Sequence, residues 1–105
     1  MFEAIFNHAE QEAPRECCGL VIQDGNNKRY IRMENISEFE DDFKMDGLAF
    51  ATYQAISKIL YVVHSHYEED CRPSQHDIDN CNALGIPYLI VSYPDKEHYI
   101  LEPST

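Results

Sequence analysis

Residues 60–66, LYVVHSH, run an apolar, β-prone stretch directly into two histidines spaced two apart. That segment constrains this chain more than any other. A short apolar run rich in valine and aromatic residues reads as a buried strand. Side chains two apart on a strand point the same way, so Val62, His64 and His66 share one face, and Val63 and Ser65 the other. A polar loop, 67–73, follows with Arg72 and Pro73. Ser74–Ala83 then reads as a helix that opens on S-x-x-D, with Asp77 in its first turn, and closes on Gly85. Strand, loop and helix in that order put both imidazoles at a strand's C-terminal end, where sites form in α/β sheets. They also let Asp77 pack back toward the imidazoles.

The flanking sequence extends the pattern. Phe2, Ile5, Phe6, Ala9 and Ala13 repeat with helical spacing over 1–13, and Pro14 ends that helix. ECCGLVIQ (16–23) reads as a buried strand, DGNN (24–27) as a turn and KRYIRMEN (28–35) as a second, alternating strand. SEFEDD (37–42) reads as an acidic loop. A helix is predicted near 46–58, with Asp46 as N-cap and Leu48, Ala49, Tyr53, Ile56, Ile59 and Leu60 as its apolar face. PYLIVSY (87–93) and HYILE (98–102) read as the last strands, joined by PDKE. The order α-β-β-α-β-α-β-β predicts an α/β fold, a mixed sheet flanked by helices. At 105 residues the chain has room for one domain, 1–105, with a single core. EPST follows the last strand closely, as expected of a small complete protein or of the first domain of a longer one.

Charge and cysteine usage narrow the function classes. Lys and Arg number 8 against 19 Asp and Glu, a net charge of −11. No basic patch extends beyond Lys28, Arg29 and Arg32, which disfavours nucleic-acid binding through phosphates. No segment approaches the roughly 20 apolar residues of a membrane span. The acidic, amphipathic N-terminus does not resemble a signal peptide. Cys17, Cys18, Cys71 and Cys81 form no CxxC pair, so a reduced, cytosolic setting is expected.

Two imidazoles and a carboxylate make a three-ligand set that leaves a metal ion an open position, the arrangement of a hydrolytic zinc site. Such zinc can lower the pKa of bound water to about 7. Each half of the motif also has a plainer reading. A histidine at a strand end is commonly a polar surface residue, and S-x-x-D is a capping box that many helices carry without chemistry. A general base is also required. Glu16, opening an otherwise apolar strand, should sit at the core's edge where its pKa can rise; the alternative is a solvated strand-end glutamate. His8 and His98 read as surface or edge residues, and His76 should point about 100° away from Asp77 on its helix. Cys81 reads as core, and Cys71 as filler or a weak extra ligand.

Glu16, His64-Ser65-His66, seven intervening residues, Ser74 and Asp77 reproduce the signature E-x(n)-H-S-H-x(7)-S-x-x-D. The chain thereby resembles the JAMM metallopeptidases, the catalytically competent MPN domains. PRECCGL and CRPSQHD are similar to the bacterial and phage branch. FKMD at 43–46, YLIVSYPD at 88–95 and the closing YILEP resemble the N-terminal domains of the phage tail assembly K proteins. The resemblance implies the MPN α/β/α layers, similar to cytidine deaminases. It implies one zinc on His64, His66 and Asp77, with Glu16 as proton carrier, Ser74 at the oxyanion and Ser65 orienting the ligand strand.

The implied partner is a protein or peptide substrate: a tail protein, a ubiquitin-like fold or a cell-wall cross-link. The implied location is the host cytoplasm or the virion. A non-catalytic assembly module and a sulfur-carrier processing enzyme are the alternatives. Two features depart from the pattern. Tyr67 stands where many members have proline, which alters the mouth of the site. The NlpC-type cysteine peptidase domain usual in the tail proteins is not in this sequence.

Overall fold

A computed structural model of the chain describes residues 1–104. Its elements are α1 (Phe2–Glu12), β1 (Cys18–Asp24), β2 (Asn27–Met33), α2 (Gly47–Ile56), β3 (Lys58–Tyr67), α3 (Gln75–Leu84), β4 (Tyr88–Tyr93) and β5 (His98–Leu101). The expected order and the expected α/β class are both observed. The strands form one sheet in the order β2-β1-β3-β4-β5. β3 and β4 are parallel, linked through α3, and the other pairings are antiparallel. No helix among the described residues is long and apolar enough to cross a membrane.

Strand alternation divides the core into two layers. Cys18, Leu20, Ile22, Val62, Tyr88 and Ile90 face one side, where Ala49, Phe50 and Tyr53 of α2 and Cys81 of α3 cover them. Val21, Val63, Leu89 and Val91 face the other, closed by Ile5 of α1 with Phe2 and Phe6. Each fully buried Ile, Leu or Val side chain contributes about 1.5–3 kcal/mol. The central strands β1, β3 and β4 are therefore the least displaceable part of the molecule, and the histidine pair stands on one of them.

Gly19 has a steric cause. A Cβ there would run into the Tyr30 ring and the Ile31 carbonyl, so the Tyr30 side chain lies across β1 only because residue 19 lacks one. The Tyr30 hydroxyl then reaches His8 Nδ1 at 2.6 Å. This corrects the surface reading of His8. The residue is buried, because α1 lies against the sheet face that Tyr30 covers.

The second helix also differs from expectation. Asp46 caps it, its Oδ2 accepting from the Ala49 amide at 3.2 Å. The helix ends at Ile56, and the Ser57 hydroxyl donates to the Tyr53 carbonyl. Lys58 already begins β3, so Ile59 and Leu60 alternate on a strand and pack on opposite faces of the sheet. Ala49, Phe50 and Tyr53 make the helix contact, which leaves Leu48 77% and Ile56 73% exposed.

Candidate metal centre

The register of β1 against β3 assembles the site. Cys18 lies opposite His64, and the Ser65 amide donates to the Cys17 carbonyl at 3.1 Å. Continued by two residues, this antiparallel register sets Glu16 across from His66. The Ser65 hydroxyl accepts from the Cys17 amide at 2.8 Å and fastens the two strands at that point. α3 then returns across the C-terminal end of β3 with Asp77 in its first turn. Its capping box is closed on both sides: the Asp77 amide donates to Ser74 Oγ at 3.1 Å, and the Ser74 amide to Asp77 Oδ2 at 3.0 Å.

His64, His66 and Asp77 therefore converge, one ligand atom from each lying within 4.8 Å of the others. His64 Nε2 stands 3.1 Å from Asp77 Oδ1, and His66 Nε2 3.3 Å from Asp77 Oδ2. Ligand atoms about 2.0–2.1 Å from one tetrahedral ion lie about 3.3 Å apart, so the spacing suits a single ion.

His64 is fully buried, stacked against Phe43 with ring centroids 4.5 Å apart. Burial pushes its pKa down against the pull of Asp77. Neither ring nitrogen has a hydrogen-bond partner among the described residues. Nε2 is close to the carboxylate but not aligned with it as a hydrogen bond. A buried, unpartnered imidazole nitrogen beside a carboxylate oxygen is costly alone and well matched to a cation.

His66 is oriented from outside the ligand set. Its Nδ1 lies 2.8 Å from the Asp70 carbonyl, which can only accept, so Nδ1–H donates and Nε2 is turned toward the site. Burial pushes the His66 pKa down, but Asp77, the Asp70 carbonyl and Glu16 outweigh it and lift the value to about 9. Burial alone would raise the Asp77 carboxyl; the two imidazoles beside it hold it well below the usual carboxylate range. Glu16 is 7% exposed, and burial, opposed by His66 and assisted by Asp77, pushes its pKa up to about 8.

A cleft of about 480 Å³ opens over these groups, lined by Glu16, His66, Ser74 and Asp77. Ser74 is exposed to it. His76 is on the rim rather than in the ligand set, bonded to Asn80 and 3.6 Å from Asp42. Cys71 and Cys81 are buried in the core outside the ligand set. His98 is exposed against Phe2.

Two contributors had no signal in the sequence. The Asp70 carbonyl acts through backbone, which leaves no side-chain signature. Asn35 donates from its side-chain amide to the Glu16 and Asp42 carbonyls and accepts from the Ser37 and Lys44 amides, at 2.8–3.0 Å. It fastens the acidic 36–44 loop beside Glu16, yet in sequence it is one polar residue at a strand's end.

Known proteins resemble this chain in sequence and fold. The tail tip assembly protein K of Escherichia phage N15 is 34% identical over 102 residues, 96% of this chain; the chain spans 42% of that protein's length. A JAB1/MPN domain protein from Archaeoglobus fulgidus is 22% identical with a TM-score of 0.63, covering 99% of this chain and 94% of its own. A structure described as a metalloprotease-like zinc site in the proteasome and signalosome is 22% identical with a TM-score of 0.54, covering 99% and 91%. The sheet order and the layered helices are thus those of JAB1/MPN proteins. The sequence pattern of the prokaryotic homologs of the JAB domain matches residues 1–101, and this chain belongs to that family.

Proposed function

We propose that this chain is a zinc-dependent amide hydrolase, a metallopeptidase or isopeptidase of the JAMM type, acting on a protein or peptide during phage tail assembly. The observation that carries the reading is the fully buried His64, with no hydrogen-bond partner at either ring nitrogen among the described residues, facing the Asp77 carboxylate. His64, His66 and Asp77 would hold the ion. Zinc bound there would supply a water of pKa about 7 and polarise the scissile carbonyl.

The chain's own residues account for the rest. Glu16, buried beside His66, accepts the proton of the attacking water and returns it to the leaving amine. Ser74 Oγ accepts from the Asp77 amide, which leaves its hydroxyl proton to donate to charge that develops on the carbonyl oxygen. Asp70 keeps His66 in the ligating tautomer. The zinc site named for the structural neighbour supports the metal. The phage relative supports the setting, including virion association, although the chain spans 42% of its length.

A non-catalytic assembly module draws support from the closed capping box, which gives Ser74 and Asp77 structural work of their own. The buried Glu16 carboxylate has no such employment and favours the enzyme. Elemental analysis tests the reading: one zinc per chain in the wild type, none in His64→Ala, with amide hydrolysis lost on chelation. Wild-type zinc content in His64→Ala would overturn the ligand assignment.

A further inference from the structure

Two clefts meet at Glu16. The larger, about 480 Å³, runs over His66 and Ser74; the smaller, about 300 Å³, runs toward Pro14 and Tyr67. Glu16, Asp41 and Glu69 line both, so the candidate base stands at the join of one groove. Separate segments supply its walls: the 36–44 loop, fastened by Asn35, and residues 68–70 after β3.

The walls are nearly all anionic. Asp42 has His76 at 3.6 Å and Asp70 has Arg72 at 2.8 Å. Glu40, Asp41, Glu68 and Glu69 are exposed and have no ion pair among the described residues. Carboxylates on facing walls repel, and the fold brings these four together with no cation at ion-pair distance among the described residues.

Glu16 is an independent sign that something enters. It is more than nine-tenths buried, lines both clefts, and its carboxyl has no hydrogen-bond partner among the described residues. A single metal ion does not fit the wall acids, since His64, His66 and Asp77 are the one described cluster whose ligand atoms converge. The charge is spread along the groove, as an extended ligand requires. Phe39, 65% exposed on the larger cleft, offers a ring to an alkyl-ammonium side chain.

We propose that this groove takes a cationic peptide segment, with lysine or arginine side chains lying between the Glu40–Asp41 wall and the Glu68–Glu69 wall on either side of the scissile bond. The proposal deepens the hydrolase reading and rests on it for the placement of that bond.

The test is calorimetric titration with the acetylated, amidated hexapeptide GKGGKG and with versions carrying norleucine or glutamate in place of both lysines. The lysine peptide should bind about tenfold tighter than the norleucine peptide at low salt, the sum of two or three exposed ion pairs, and the glutamate peptide more weakly than both. The difference should shrink as salt screens the walls. Glu40→Lys/Glu69→Lys should abolish the preference. Glu3→Lys/Glu10→Lys, an equal charge change at exposed positions lining neither cleft, should retain it; melts of both variants confirm folding. Equal binding of lysine and norleucine peptides, or equal loss in both variants, overturns the proposal. Zinc content measured on the same samples separates the two readings. Zinc-loaded protein that ignores peptide charge removes the groove proposal alone. Zinc-free protein that still discriminates removes the hydrolase reading and leaves a binding groove.

Discussion

Glu16 and His66 are close neighbours with opposite requirements. As a proposed ligand His66 would offer Nε2 to an ion, and the Asp70 carbonyl orients the ring by accepting from Nδ1. In the proposed reaction Glu16 holds and releases a proton near neutrality, and burial lifts its pKa toward that range. Glu16→Gln keeps the size and removes the proton carrier. It should leave one zinc bound while lowering amide turnover by about 10²-fold or more, the usual worth of a placed general base. Zinc loss in this variant, by elemental analysis, would make Glu16 a ligand and contradict the division of roles.

At the scale of elements, α3 is capped by the residue proposed to act in the chemistry. Ser74 Oγ receives the Asp77 amide, and the Asp77 carboxylate receives the Ser74 amide while facing both histidines. The capping box thus aims the carboxylate. Ser74→Ala should destabilise the protein by about 1 kcal/mol through the lost cap. Ser74→Asp should melt near the wild-type temperature, because aspartate caps as well. Both should lose hydrolysis, since neither keeps a neutral hydroxyl donor at the cleft. Full hydrolysis by Ser74→Asp would remove Ser74 from the chemistry and leave it a cap. α2 teaches a separate lesson: its apolar residues surround the helix, so periodicity alone did not choose the packing face. Phe50 packs inward while Leu48 and Ile56 remain exposed.

The whole molecule couples the site to stability. In metal-free protein Glu16 is held at about 8 against an ordinary 4.5, and His66 at about 9 against 6.5. Both bind a proton more tightly folded than unfolded, so their stabilising effect is complete at low pH and is lost as pH rises through the raised values. The lowered pKa values of His8 and His64 act in the opposite sense, below pH 6.5. With chelator present, the melting temperature should therefore fall between about pH 6.5 and 9, and fall less in Glu16→Gln. A flat or rising profile over that window would contradict the proposed proton placement.

Element order, the α/β class and the ligand candidates were legible because each is written in short-range pattern. Alternation marks strands, Pro14 and Gly85 mark helix ends, and two-residue spacing sets His64 and His66 on one face. Other features depend on pairings across the sheet and on loop closure. Only the β1–β3 register brings Glu16, fifty positions away in sequence, opposite His66. Only the contact of α1 with Tyr30 over Gly19 buries His8. Only the Asn35 network brings the acidic 36–44 loop beside Glu16. Side-chain spacing along one element is fixed by backbone geometry and can be read residue by residue. Contacts between distant segments depend on which faces bury the most apolar surface and satisfy the most polar groups together, and the fold decides that as a whole.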